Sequence, residues 1–220
     1  MVCKLKCLAL LLAVASLGAG PAFADAFTDS ASFQAAIAGL GTASTATFDD
    51  LAAGTIISQG GTADNITFNY SIAGGTGNLA ITNLFDTTSS PNYLGSDDQT
   101  TGAFFAGDSI TMSFASPIRA LGMFIILASD SAAGDFTLDI GSAQASSSGV
   151  VQQTLLDNGQ VLFLGITGQT DFTSATISLD SNAGYLWNLD DIVSAPTPEP
   201  GTLTLIATGL ALLVRRIRKS

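Results

Sequence analysis

The chain has 220 residues and a formal net charge of −11. Its charges are segregated: Lys4 and Lys6 stand near the start, Arg215, Arg216, Arg218 and Lys219 stand at the end, and Arg119 is the lone cation between them, in the stretch that holds all seventeen Asp. That stretch has no Lys, His, Glu or Cys, which excludes nucleic-acid binding, disulfides, zinc sites of Cys or His, and Ser–His or thiol nucleophiles.

Residues 1–24 read as a signal peptide. Lys4 and Lys6 form a positive start, residues 8–17 are continuously apolar, and Ala22 and Ala24 put small side chains at the two positions a signal peptidase requires. Cleavage is expected before Asp25. Cys3 and Cys7 leave with the leader, and Cys7 precedes the apolar run, unlike a lipoprotein cysteine.

Residues 25–195 form the expected ectodomain, about 170 residues and long enough for one real core. Asp29 or Ser30 caps a short helix over about 30–40, with Phe33, Ile37 and Leu40 on one face and Gly41 ending it. From Thr45 onward the period changes to two. Ile66, Phe68, Tyr70 and Ile72 alternate, as do Ile110, Met112 and Phe114, then Phe136, Leu138 and Ile140, then Ala175, Ile177 and Leu179. The runs ALGMFIIL and QVLFLGI are more uniformly apolar, as in central strands covered on both faces. Gly, Ser, Thr, Asn and Asp fill the connections, including GGTGN, DSAAGD, DNGQ and SNAG. The fold expected is mainly β: an antiparallel, jelly-roll-like β-sandwich of nine or ten strands with one short N-terminal helix, flanked by a signal-peptide helix and a C-terminal hydrophobic helix.

Residues 196–220 combine three features in order. Pro198, Glu199 and Pro200 stiffen an extended segment, an apolar run continues through Val214, and a basic end covers 215–219. As a helix, residues 201–214 span roughly 21 Å at about 1.5 Å per residue, short of a ~30 Å hydrocarbon core. Arg215, Arg216 and Arg218 hold the terminus on the cytoplasmic side. The design suits a temporary stop in the inner membrane better than a permanent anchor. This tail resembles the PEP-CTERM sorting signal of exopolysaccharide-producing Gram-negative bacteria. The resemblance implies recognition by an exosortase, cleavage near the motif, and delivery to the cell surface or extracellular matrix. The phrases FDDLAAGT, SFASPIRALGMFI, FLGITGQTDFTSATISL and NLDDIV, spread over residues 44–194, are similar to the β-sandwich ectodomains of such proteins. That likeness implies a carbohydrate-binding or lectin-type module, with exopolysaccharide as partner.

Within the ectodomain the Asp pairs stand out. Asp49 with Asp50, and Asp190 with Asp191, lie near its two ends, and terminal strands of a sandwich often meet. One Asp of each pair, helped by carbonyls, suits calcium, the single cofactor the composition suggests; Asp97 and Asp98 are a weaker loop candidate. Tyr185 and Trp187 share a strand face with Leu189. They serve as a sugar-stacking platform if that face is open and as core if it is closed. Arg119 is expected to pair with a nearby Asp; its alternative role is holding an anionic sugar. The leading reading is a non-enzymatic exported binding module. A structural coat protein without a small ligand is the alternative, and a carboxylate-based glycoside hydrolase is a remote one.

Overall fold

The computed structural model describes residues 24–73, 77–98, 100–180 and 182–197. Residues 1–23 of the leader, with Ala22, lie outside the described residues, as do residues 74–76, 99, 181 and 198–220, with Pro198, Glu199, Pro200, the apolar run, Arg215, Arg216 and Arg218. In chain order the elements are β1 (Asp25–Phe27), α1 (Ser30–Ile37), β2 (Ser44–Ala46), β3 (Ile56–Ile57), β4 (Gly61–Ala63), β5 (Ile66–Ser71) and β6 (Leu79–Thr82). Then follow β7 (Tyr93–Ser96), β8 (Ser109–Leu127), β9 (Phe136–Asp139), β10 (Gln144–Ser146), β11 (Gln153–Thr154), β12 (Gln160–Leu179) and β13 (Trp187–Pro196).

Every strand pairing is antiparallel, and the strands stack as a two-layer sandwich. The first layer runs β4, β5, the start of β8, the end of β12, β9 and β10. The second runs from the start of β12, which also carries β1 and β11, through the end of β8 to β13, β7, β6 and β3, with β2 on β13. The strands β8 and β12 therefore belong to both layers. The separate periodic segments read in the sequence at 110–114 and 120–127 are one strand, and so are 161–166 and 175–179. The register between β8 and β12 shifts where the pair turns from one layer into the other, between Thr167 and Ser174. Arg119 of β8 reaches Asp171 of β12 there, with Nη1 3.3 Å from Oδ1. The thirteen strands among the described residues exceed the nine or ten expected. The excess is strands of two or three residues, too short to show a period.

The alternating residues meet between the layers. Phe68, Ile110, Met112, Leu138 and Ile177 face Leu121, Met123, Ile125, Leu164 and Leu189, all buried in one cluster. The uniformly apolar runs are explained by the far side of the second layer, where α1 packs. Asp29 caps α1 by accepting the Ser32 amide at 2.8 Å. Phe33 and Ile37, four apart, bury onto Ala120, Phe163, Val193 and Ala195. Gly122 and Gly165 are register partners in this floor, and a Cβ on either would lie 2.8 Å from the Phe33 ring. The two glycines make the recess that receives Phe33. The helix stops at Ile37 rather than near Leu40. Gly39 is a poor continuation, and Leu40 turns back on the Ile37 carbonyl at 2.9 Å while still packing in the same cluster.

Candidate functional site

The two expected Asp pairs do converge, but on a loop. Asp190 is fully buried where β13 bulges. It accepts the Thr87 hydroxyl, the Thr88 hydroxyl at 2.8 Å, the Ser89 amide at 3.0 Å and the Asp191 amide at 2.8 Å. Asp49 accepts the Asn92 amide at 3.0 Å, and Asn92 Nδ2 donates to the Leu51 carbonyl at 2.8 Å. One loop, residues 83–92, is thus gripped at its middle by Asp190 and at its end by Asp49. Asp191 occupies the bulge at φ 46°, and Asp50 is exposed. Among the described residues, no three His, Cys, Asp or Glu side chains gather as a metal set. Burial pushes the Asp190 carboxyl up to about 6 against the pull of its donors. Burial likewise raises Asp108, which accepts the Ala73 amide at 2.6 Å and the Phe105 amide at 2.7 Å.

The aromatic platform expected at Trp187 is closed. Trp187 is 0% exposed, stacked between Phe104 and Phe136, and its indole N–H donates to the Phe105 carbonyl at 3.0 Å. The alternation that set Trp187 beside Leu189 aims both side chains inward. Tyr185 is half-buried against the same core, and its hydroxyl accepts the Ala132 amide at 3.4 Å. Arg119 has Asp171 for its partner at the bend between the layers.

A different face is open. On the outward side of the second layer, beyond the reach of α1, two cavities lie side by side. One, about 250 Å³, is lined by Phe85, Ile126, Ala128, Asp157, Asn158 and Asn188, among others. The other, about 340 Å³, is lined by Ile56, Thr82, Leu84, Asp97, Asp98 and Gly102, among others. Consecutive residues divide them: Leu84 lines one and Phe85 the other, 55% and 46% exposed. Leu156 stands free at the hairpin beside Asp157, 96% exposed.

The floor of this face is built for close approach. Gly95 of β7 lies under the crossing segment at Gly102, and a Cβ there would meet the Gly102 carbonyl at 2.0 Å. Asn188, in the amide orientation that satisfies it, donates to the Trp187 carbonyl at 3.0 Å and to the Gly102 carbonyl at 3.1 Å. The ridge is pinned at its foot. The Asp86 amide donates to Asp157 and the Asp157 amide to Asp86, each at 3.1 Å. Tyr93, fully buried, ends its hydroxyl against Thr82 and the backbone of Leu84 and Phe85. Asp98, on the rim, is held below the usual carboxylate range by the Thr101 hydroxyl and the Thr100 amide.

Sequence reasoning missed this ridge. Its signal was present in TNLFDTT, where two large apolar residues interrupt a polar connection with no periodic partner. Asn188 and Asp157 gave no signal, because only the pairing of β13 with β8 and the hairpin before β12 bring them to one cavity.

The fold and this face define an acidic, two-layer antiparallel β-sandwich with an open cleft on one sheet. Residues 196–219 match the family model for the PEP-CTERM protein-sorting motif, which begins on the residue that closes β13. The motif marks an exported protein sorted to the cell envelope, and it implies processing by an exosortase. No curated protein sequence matches the chain. Similar solved structures include the CBM22-1 xylan-binding domain from Paenibacillus barcinonensis Xyn10C. Its identity is 14%, it covers 73% of this chain and 98% of its own, and its TM-score is 0.40.

Proposed function

We propose that this protein is a non-catalytic module of the cell surface or extracellular matrix that binds exopolysaccharide. The observation that carries this reading is the pair of shallow cavities divided by Leu84 and Phe85. Exposed apolar side chains on a rigid sheet, beside amides and carboxylates, offer both the flat contact and the hydrogen bonds that sugars take. A hydrolase needs an acid and a base carboxylate with separated pKa values flanking a cleft. The two carboxyls pushed upward, Asp108 and Asp190, are buried, accept protein donors, and line neither cavity. That supports binding without turnover.

In this reading Asp190 serves the loop that carries the ridge. Calcium is left to the outer members of the two pairs, Asp50 and Asp191, or to none. The test is affinity electrophoresis of the exported protein through gels containing the producing strain's exopolysaccharide, with a reducing-end assay on the same mixture. Retardation without new reducing ends is the expected result. Unretarded migration would favour the coat-protein alternative, and new reducing ends would restore the hydrolase.

A further inference from the structure

We propose that the glycan this face takes carries positive charge: an amine-bearing hexosamine chain laid across Leu84 and Phe85, with its amines toward Asp157 on one side and Asp98 on the other. The inference rests on the binding reading above and specifies its ligand class.

Two observations carry it. The first is geometric. Leu84 and Phe85 are neighbours in the chain, yet each lines a different cavity. A ligand that uses both must be extended and must cross the ridge, which fits a polymer of repeating rings better than a compact molecule. The exposed Phe85 ring and Leu84 side chain offer the apolar faces of such rings a stacking surface.

The second is electrostatic. Between residues 24 and 197 Arg119 is the lone cation, and it is engaged by Asp171 at the bend between the layers. No positive side chain is left to receive a uronate or sulfate, and the field of seventeen carboxylates repels such polymers. A neutral glycan would gain hydrogen bonds from the acids in the lining but no charge attraction. An amine gains from both. Each Asp157 oxygen already accepts one amide, from Asp86 or from Gly159, and a carboxylate oxygen has a second acceptor site for an ammonium donor. Asp98 stays ionised well into the acid range, where amines are fully charged.

The experiment is titration calorimetry of the exported protein at pH 5.5 and low salt. The probes are three hexamers: glucosamine, its N-acetylated counterpart, and galacturonate. The glucosamine hexamer is expected to bind at least tenfold more tightly than the N-acetylated one, and the galacturonate hexamer not at all. Phe85→Ala and Asp157→Asn should each weaken glucosamine binding at least tenfold. Asp139→Asn makes the same charge change on the first layer and should leave affinity within twofold. Equal losses in Asp157→Asn and Asp139→Asn would show diffuse attraction to an acidic protein and overturn the site. Equal or tighter binding of the N-acetylated or galacturonate hexamer at the ridge would overturn the charge selection while leaving the glycan reading intact. Binding of none of the three would overturn both.

Discussion

Asp86 and Asp157 hold one another by the backbone: the amide of each donates to the carboxylate of the other, both at 3.1 Å, across 71 residues of chain. The contact ties the loop that carries Leu84 and Phe85 to the hairpin that leads into β12. Without it the ridge rests on Asp190 and Asn92 alone. Asp157→Ala is therefore expected to speed hydrogen exchange at the Asp86 amide at least tenfold, while amides of β8 and β12 keep their protection. Unchanged exchange at Asp86 would mean that the hydroxyl grip of Asp190 positions the ridge by itself.

Helix α1 depends on a recess made by two glycines. Phe33→Ala should destabilise the exported protein by about 3–5 kcal/mol, the usual result of emptying a buried aromatic site. Gly165→Ala should cost about 1–3 kcal/mol by overpacking, because its Cβ would lie 2.8 Å from Phe33 and 2.9 Å from Phe163. Urea melts of both single variants and the double variant test the contact. The double variant should cost less than the sum, since removing Phe33 makes room for the new methyl. Additive losses would show that the glycine is required for another reason.

Asp190 makes stability depend on pH in a direction opposite to that of a salt-bridged carboxylate. Its folded value of about 6 lies above the ordinary 3.8, so the folded state binds the proton more tightly than the unfolded chain. The stability linked to this group is fully present below the unfolded value and is lost as pH rises through 6. Between pH 5 and pH 7.5 the loss is on the order of 1 kcal/mol, roughly a few °C in Tm for a domain of this size. Wild-type protein should gain that much more on acidification than Asp190→Asn. General relief of acidic repulsion is common to both proteins and drops out of the comparison. Parallel pH profiles would show that the ionised group is fully compensated by its donors. In the same melts, any rise with calcium over sodium chloride of matched ionic strength should be equal in wild type and Asp190→Asn, because the Asp190 oxygens already accept hydroxyl and amide donors. A calcium-specific rise that vanishes in Asp50→Ala would place a cation at the outer members of the Asp pairs.

Processing at the two ends is checked on exported material. N-terminal sequencing should read Asp25, Ala26, Phe27, the residues of β1, whose Asp25 N–H donates to the Thr167 hydroxyl at 3.2 Å. Replacing Pro198, Glu199 and Pro200 together by Ala should leave the protein in the inner membrane with its tail attached. Surface delivery at the wild-type level would reduce the tail to an anchor.

The sandwich, the capping of α1 by Asp29, and the sorting motif could be read from the sequence because each is a local pattern. Two-residue alternation reports which side of a strand is buried, a capping Asp acts three residues away, and the motif lies on consecutive positions. The partnership of Arg119 could also be anticipated, since a lone cation among carboxylates has few alternatives. The tertiary structure alone decided which apolar residues are covered and which carboxylates are filled. Trp187 and Phe85 are both aromatic residues beside polar neighbours, yet one closes the core and the other stands open. The difference lies in β13 pairing with β8 at the centre of a sheet while residues 83–92 cross outside it. The Asp pairs likewise look equivalent along the chain. Asp190 sits on the strand face opposite the core residue Leu189, and only the loop folded over that face covers it and donates to its carboxylate from a hundred residues away, a long-range contact that no local pattern encodes.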